Sequence, residues 1–278
     1  MSPHLATSSP ASLQLLSEWF QTGAGLRLIS EQHPHLVSSA RRFHGDALLW
    51  TGCQTRLLDT VSGCMIRNHL RMIDHSTQVD PGIQPESGDL AVFQGDLTDI
   101  PLANNSLDAL VLHHSLETSA DPRTALRECA RVLSGGGRLV VCAFNPMSLW
   151  GLRAVYGRFR TDAFSALRLT SVARLQDWLA VLGFDIEPIN YVAYSLPLDR
   201  HPSDAAVWRK CRSLMGRSNV PLGGAYVLSA VKMAMAARGA NWVTTDRAGH
   251  VVFWQLVSAV LASFTDSAIH SFLGIPGK

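Results

Sequence analysis

The chain is short of lysine. Only Lys210, Lys232 and Lys278 stand among its 24 basic residues, and charged residues of both signs make up 17% of its 278 positions, for a net charge of +2. No basic stretch forms, so nothing in the charge implies a nucleic-acid partner. Cysteine is sparse as well. Cys53, Cys64, Cys129, Cys142 and Cys211 stand singly, with no C-x-x-C pair and no histidine at ligand spacing. That pattern argues against a disulfide framework, offers no metal site, and suits free thiols in a reducing compartment. No apolar run reaches the ~20 residues a spanning helix needs. The mostly apolar stretch from Val251 to Phe264 is too short, and Asp266 and His270 interrupt its extension. The first residues lack a charged region followed by an apolar one, so a cytoplasmic protein without an export signal is expected.

What the chain has is apolar residues, 47% of it, enough for a sizeable core. Residues 1–12, rich in Ser, Pro and Ala, read as a loose tail. Residues 13–46 read as N-terminal helices. The first has an apolar face of Leu13, Leu15, Leu16, Trp19 and Phe20, and the second runs from Leu26 towards Phe43. From 47 to 235 short apolar runs alternate with helical patterns. The strand candidates are Ala47–Trp50, Leu70–Ile73, Leu90–Phe93, Leu107–Leu112, Arg138–Phe144, Phe184–Leu196 and Tyr226–Met235. Between them fall a short helix from Arg56 to Val61, a loop over 76–89 and a helix from about Ser171 to Leu182. A further helix, from Pro122 to Leu133, is capped by Asp121 and ended by Gly135-Gly136-Gly137. The alternation predicts an α/β fold with a doubly wound, mostly parallel sheet, its last two strands antiparallel at one edge. Residues 236–278 read as a tail, helical in its apolar part and packed on the body or on a partner.

In such a sheet ligands bind beyond the carboxyl ends of the strands, where strand order reverses. After the first strand stands Gly52, with Cys53, Gln54, Thr55 and Arg56; a glycine there allows a tight turn and close approach to a ligand. After the second stands Asp74, 22 positions beyond Gly52, the spacing at which a carboxylate accepts from ribose hydroxyls. After the third stand Gly95, Asp96 and Leu97, where an acidic side chain suits an adenine amine. After the fourth come His113 and His114, whose neutral imidazoles suit proton abstraction near pH 7. After the fifth come Asn145, Ser148, Trp150 and Arg153, polar groups beside an aromatic, as in an acceptor pocket.

These pieces, in this order, resemble the type 11 methyltransferase domain, which includes the C-methyltransferases of ubiquinone and menaquinone biosynthesis. The resemblance rests on Gly95-Asp96-Leu97-Thr98-Asp99-Ile100-Pro101-Leu102, Asn105-Ser106-Leu107-Asp108, Leu112-His113-His114, Asp121-Pro122-Arg123-Thr124-Ala125-Leu126-Arg127-Glu128, Arg131-Val132-Leu133 and Gly136-Gly137-Arg138-Leu139. It implies a seven-stranded class I fold that binds S-adenosyl-L-methionine. Gly52, Cys53 and Arg56 would lie at the cofactor turn, Asp74 at the ribose, Asp96 and Leu97 at the adenine, and His113 beside the cofactor. The chain is also similar to a smaller bacterial branch of that superfamily. The shared residues are Trp19, Thr22, Gly25 and Glu31 ahead of the first strand and Phe144-Asn145-Pro146, Ser148, Gly151, Leu152 and Arg153 after the fifth. That likeness gathers Trp19, Glu31, Asn145, Trp150 and Arg153 around a small-molecule methyl acceptor.

The chain departs from the family at the cofactor turn. Trp50 stands where an acid is usual, and Gln54 and Arg56 where glycines are usual. Arg56 is therefore expected to pair with the cofactor's carboxylate. The expected activity is methyl transfer, with His114 as the base and His113 second. The competing reading is a non-catalytic relative that binds the cofactor or a partner without turnover. A nicotinamide-dependent dehydrogenase fits less well, because the glycine fingerprint is missing.

Overall fold

The computed structural model describes residues 10–52, 63–74, 90–157, 164, 167–194 and 218–234. The helix expected over Arg56–Val61, the loop over 76–89 and the tail from Ala236 lie outside these, as do Cys53 and Arg56.

Two helices come first, α1 (Pro10–Phe20) and α2 (Gly23–Ala40). α1 starts three residues ahead of the first apolar position, Leu13. Thr22 separates the two, its hydroxyl accepting from Gly25 N–H at 3.3 Å as the cap of α2. The sheet then begins with β1 (His44–Gly52), β2 (Met65–Ile73), β3 (Leu90–Gln94) and β4 (Leu107–His113). Helix α3 (Pro122–Val132) leads into β5 (Leu133–Phe144), followed by α4 (Leu149–Gly157) and α5 (Val172–Val181). Three strands close the sheet, β6 (Phe184–Ile186), β7 (Asn190–Val192) and β8 (Ala225–Lys232).

The strand order is β3-β2-β1-β4-β5-β8-β6, with β7 also on β8. Pairings among β1 to β5 are parallel, and those of β8 antiparallel. The chain winds outward from β1 to β3, then crosses back to place β4 on the other side of β1. That reversal puts the switch point at the carboxyl ends of β1 and β4.

Side-chain alternation sorts the two faces. Leu49, Leu110, Leu112, Leu139 and Val141 pack under α3 and α5, against Leu126, Cys129, Leu175 and Leu179. Their neighbours Leu48, Trp50, Ala109, Val111, Val140 and Cys142 face the other way, onto Leu36 and Ala40 of α2. Central strands buried on both faces are continuously apolar for this reason. Each such leucine, fully buried, contributes about 1.5–3 kcal/mol.

Two expectations are corrected. The sheet has eight strands rather than seven, because the run expected over Phe184–Leu196 is split. Glu187 N–H still bonds to Ser229 O at 2.9 Å, but the next residue, Pro188, has no N–H, and pairing resumes only at Asn190. The glycine run does not end α3 as a loop either. α3 stops at Val132, and Gly135-Gly136-Gly137 lies within β5, where the register against β4 shifts between Leu107 and Ala109. Gly136 there has φ +85°, a bulge conformation open to glycine. The Asp121 cap is present as expected, accepting from Arg123 N–H at 3.0 Å and Thr124 N–H at 3.4 Å.

Candidate functional site

A cleft of about 710 Å³, counted to its mouth in solvent, opens at the switch point. Its floor and walls come from strand ends: Thr51 and Gly52 of β1, Arg71, Met72 and Ile73 of β2 with Asp74 after it, and Gly95, Asp96 and Leu97 after β3. Ser115, Thr118 and Ser119 after β4 and Ser17 of α1 complete it. Four residues expected around a cofactor, Gly52, Asp74, Asp96 and Leu97, thus share one cavity. They come from three strands that only the sheet brings together.

Gly52 has φ +137°, and a Cβ built on it would lie 1.9 Å from His113 O. The residue must be glycine because β4 runs against it, before any ligand is considered. Asp96 is oriented by Thr98, whose N–H and hydroxyl both donate to Oδ1 at 2.8 Å. The loop after β3 is held by Arg131 on α3. Its Nη1 donates to Leu102 O and Asn104 Oδ1 and its Nη2 to Ile100 O and Glu128 Oε2, at 2.7–2.8 Å. Arg131 in turn keeps the Glu128 carboxyl below its ordinary value.

The two histidines, expected as base and beside the cofactor, do not line this cleft. Both rings are fully buried, in a hydrogen-bonded chain. With the Gln32 amide oriented as it is, His113 Nε2–H donates to Gln32 Oε1 (3.1 Å) and Gln32 Nε2–H to His114 Nε2 (2.9 Å). His114 then carries its proton on Nδ1 and donates to Glu117 Oε2 at 3.1 Å, while Phe144 N–H donates to Glu117 Oε1. Burial, and then the neighbouring His114, hold the His113 imidazole well below its ordinary value, so it stays neutral. His114 sits at φ +54°, a left-handed conformation costly for a side chain of its size, and its N–H bonds to Cys142 O at 2.9 Å.

The residues expected around an acceptor also lie elsewhere. Trp19 and Trp150 are buried in an aromatic cluster with Phe20, Phe144 and Phe164, with ring centroids 5.0–6.5 Å apart. Gly224 makes room for Trp150, since a Cβ there would stand 2.1 Å from indole Cδ1. Arg153 lies 5.1 Å over the Phe164 ring. Asn145 Nδ2 donates to Pro221 O (3.1 Å) and Gly223 O (2.9 Å), and its Oδ1 accepts from Met147 N–H. Glu31 Oε2 accepts from Ala193 N–H at 2.9 Å. These five residues tie α1, α2 and β5 to the loops around β7 and β8; none of them lines the cleft.

Sequence reading missed Arg71, Ser115 and Ser119. All three are more than nine-tenths buried, and Arg71 Nε and both hydroxyls meet no hydrogen-bond partner. Three unpaired donors in one cleft fit a ligand rich in acceptors, while Asp74 and Asp96 fit one that also carries hydroxyls and an amine. A nucleoside bearing an anionic group satisfies both. The available signal was a charged residue inside the strand run Leu70–Ile73, and small hydroxyl residues clustered just after His114. Among the described residues no group of three or more His, Cys, Asp or Glu is placed to hold a metal, and no helix is long and apolar enough to cross a membrane.

Residues 51–141 match the family described as "Methyltransferase domain". Protein YafS of Escherichia coli (strain K12) is 38% identical over 93 residues, covering 34% of this chain and 39% of that protein. The demethylmenaquinone methyltransferase of Renibacterium salmoninarum is 35% identical over 79 residues, covering 28% of this chain and 33% of that enzyme. The match thus spans between a third and two fifths of these relatives' length. Among solved structures, a SAM-dependent methyltransferase from Archaeoglobus fulgidus superposes with a TM-score of 0.53 at 20% identity, covering 79% of this chain and 99% of that one. A chain of the Haloferax volcanii complex between the Trm112 methyltransferase activator and a methyltransferase gives 0.56 at 17%, covering 78% and 97%. At these identities the structures speak for the fold alone: the sheet is similar to that of these two proteins.

Proposed function

We propose that this chain, whose residues 51–141 carry the methyltransferase domain match, binds S-adenosylmethionine in the cleft at the switch point and transfers its methyl group to a small molecule. The observation that carries the reading is the convergence of Gly52, Asp74, Asp96 and Leu97 on one cavity. Asp74 suits the ribose diol, which offers two adjacent hydroxyl donors to one carboxylate. Asp96, held by Thr98, suits the adenine amine, with Leu97 against the ring. Bound there, the cofactor supplies an electrophilic methyl carbon, so the protein's task is to orient an acceptor and exclude water rather than to provide a nucleophile. The buried His113–Gln32–His114–Glu117 chain sets the shape of the turn after β4, beside which an acceptor would sit. Its histidines act here as positioning residues.

Calorimetric titration of the full chain tests this. S-adenosylmethionine and S-adenosylhomocysteine are expected to bind with one-to-one stoichiometry and NAD not to bind. Absence of heat with both adenosyl compounds would remove the reading. The competing possibility, a cofactor or partner binder without turnover, is favoured by the altered turn with Trp50, Gln54 and Arg56. It predicts binding of the same compounds with no S-adenosylhomocysteine formed in the presence of quinol, phenol or amine acceptors.

A further inference from the structure

Arg71 is a cation in a wall of the cleft, and among the described residues it forms no ion pair. It sits on β2, three residues ahead of Asp74, side by side with Trp50 of β1 in the sheet register. Only 7% of it is exposed. Its Nε meets no acceptor among the described residues. Burial lowers its pKa from the ordinary value, but an arginine remains charged even so. A buried charge left uncompensated is costly unless an opposite charge completes the site. Two further orphaned donors, the hydroxyls of Ser115 and Ser119, line the same cleft. A carboxylate, with two oxygens and about four lone-pair directions, is a ligand group that can accept from several such donors.

Building on the methyltransferase reading, we infer that Arg71, assisted by Ser115 and Ser119, takes the amino-acid carboxylate of the bound S-adenosyl compound. Recognition of the methionine half then rests on the second strand rather than on the glycine turn, and Arg56 is not its partner. The guanidinium anchors one end of the ligand while Asp74 and Asp96 take the nucleoside.

The test compares S-adenosylhomocysteine with 5′-methylthioadenosine, which keeps the nucleoside and sulfur but lacks the amino-acid carboxylate, by calorimetry on the full chain. Wild type is expected to bind S-adenosylhomocysteine at least about 10-fold more tightly, the factor of one hydrogen bond to a charged group. R71M is expected to lose about 10- to 100-fold towards S-adenosylhomocysteine while 5′-methylthioadenosine stays within about 3-fold of wild type. R56A is expected to keep the wild-type preference. Equal loss towards both ligands in a folded R71M protein overturns the assignment, as does loss of the preference in R56A but not in R71M. Should R71M fail to fold, wild type alone decides: equal affinity for the two ligands sinks the Arg71 assignment and leaves the methyltransferase reading standing. Binding of neither removes both.

Discussion

Gln32 Nε2 lies 2.9 Å from His114 Nε2, joining the middle of α2 to the left-handed residue that follows β4. The same amide accepts from His113 through its oxygen. One side chain therefore bonds to one nitrogen of each of two buried imidazoles, across 81 and 82 positions of sequence.

Replacing Gln32 by leucine leaves a nitrogen on each ring without its partner in a dry interior. Each unsatisfied group costs about 1–3 kcal/mol, so a loss of roughly 2–6 kcal/mol is expected. Urea unfolding followed by tryptophan fluorescence measures it. A Q32L protein as stable as wild type would show that the chain of bonds adds nothing.

Stability should also fall with acidity through His113. Its folded-state pKa is held well below the ordinary value, so the neutral ring is the one that fits. An unfolded histidine takes up a proton below pH ~6.5 that the folded one refuses. This contribution is therefore complete above that value and declines as pH falls below it, by up to about 1.4 kcal/mol per pH unit. Urea midpoints between pH 7.5 and 5 should show a shallower slope in H113F than in wild type, whatever the variant's stability at neutral pH.

Asn145 separates a structural role from an acceptor-binding one. Its amide holds Pro221 O, Gly223 O and Met147 N–H, so N145A should lower the unfolding free energy by about 1–3 kcal/mol. Affinity for S-adenosylhomocysteine should stay within about 3-fold, because the residue does not line the cleft. A folded variant that loses affinity by far more would place Asn145 closer to the ligand than its bonds suggest.

Asp74 carries the opposite expectation. D74N keeps the size of the side chain but exchanges an accepting oxygen for an NH2 group, so S-adenosylhomocysteine should bind about 10-fold more weakly, near 1.4 kcal/mol. Unchanged affinity would take the ribose contact away from this residue.

Gly52 should tolerate no substitution. G52A asks for φ +137° from a residue with a Cβ and sets that atom 1.9 Å from His113 O, so β1 and β4 have to part. The backbone strain alone costs about 1–3 kcal/mol before the clash is counted. Loss of a cooperative thermal transition is the expected result.

The sheet was legible because its buried strands carry short apolar runs, with Ala109–Leu112 of β4 the plainest. The nucleoside half of the site was legible for a related reason: Gly52, Asp74 and Asp96 stand one to three places past such a run, and a parallel sheet aligns those places. The other half was not. His113 and His114 follow a strand in the same way, yet Gln32 and Glu117 draw them inward, and no local pattern announces a glutamine on α2 as their partner. Asn145 and Glu31 bond to backbone groups whose need arises only from tertiary geometry, such as the N–H of Ala193 at φ +60°. Arg71 was passed over because a charge in a strand is ordinarily on an exposed face.

Helix α2 is fastened at three residues, Glu31 holding Ala193 N–H just ahead of Gln32. Gln32 grips the turn after β4, and seven residues on, about 10 Å along the axis, Ser39 Oγ meets Ser229 Oγ of β8 at 2.9 Å. A rod pinned at two separated points can neither slide nor roll without breaking one of them. A displacement of α2 therefore carries the loss of a buried hydrogen bond at one end or the other.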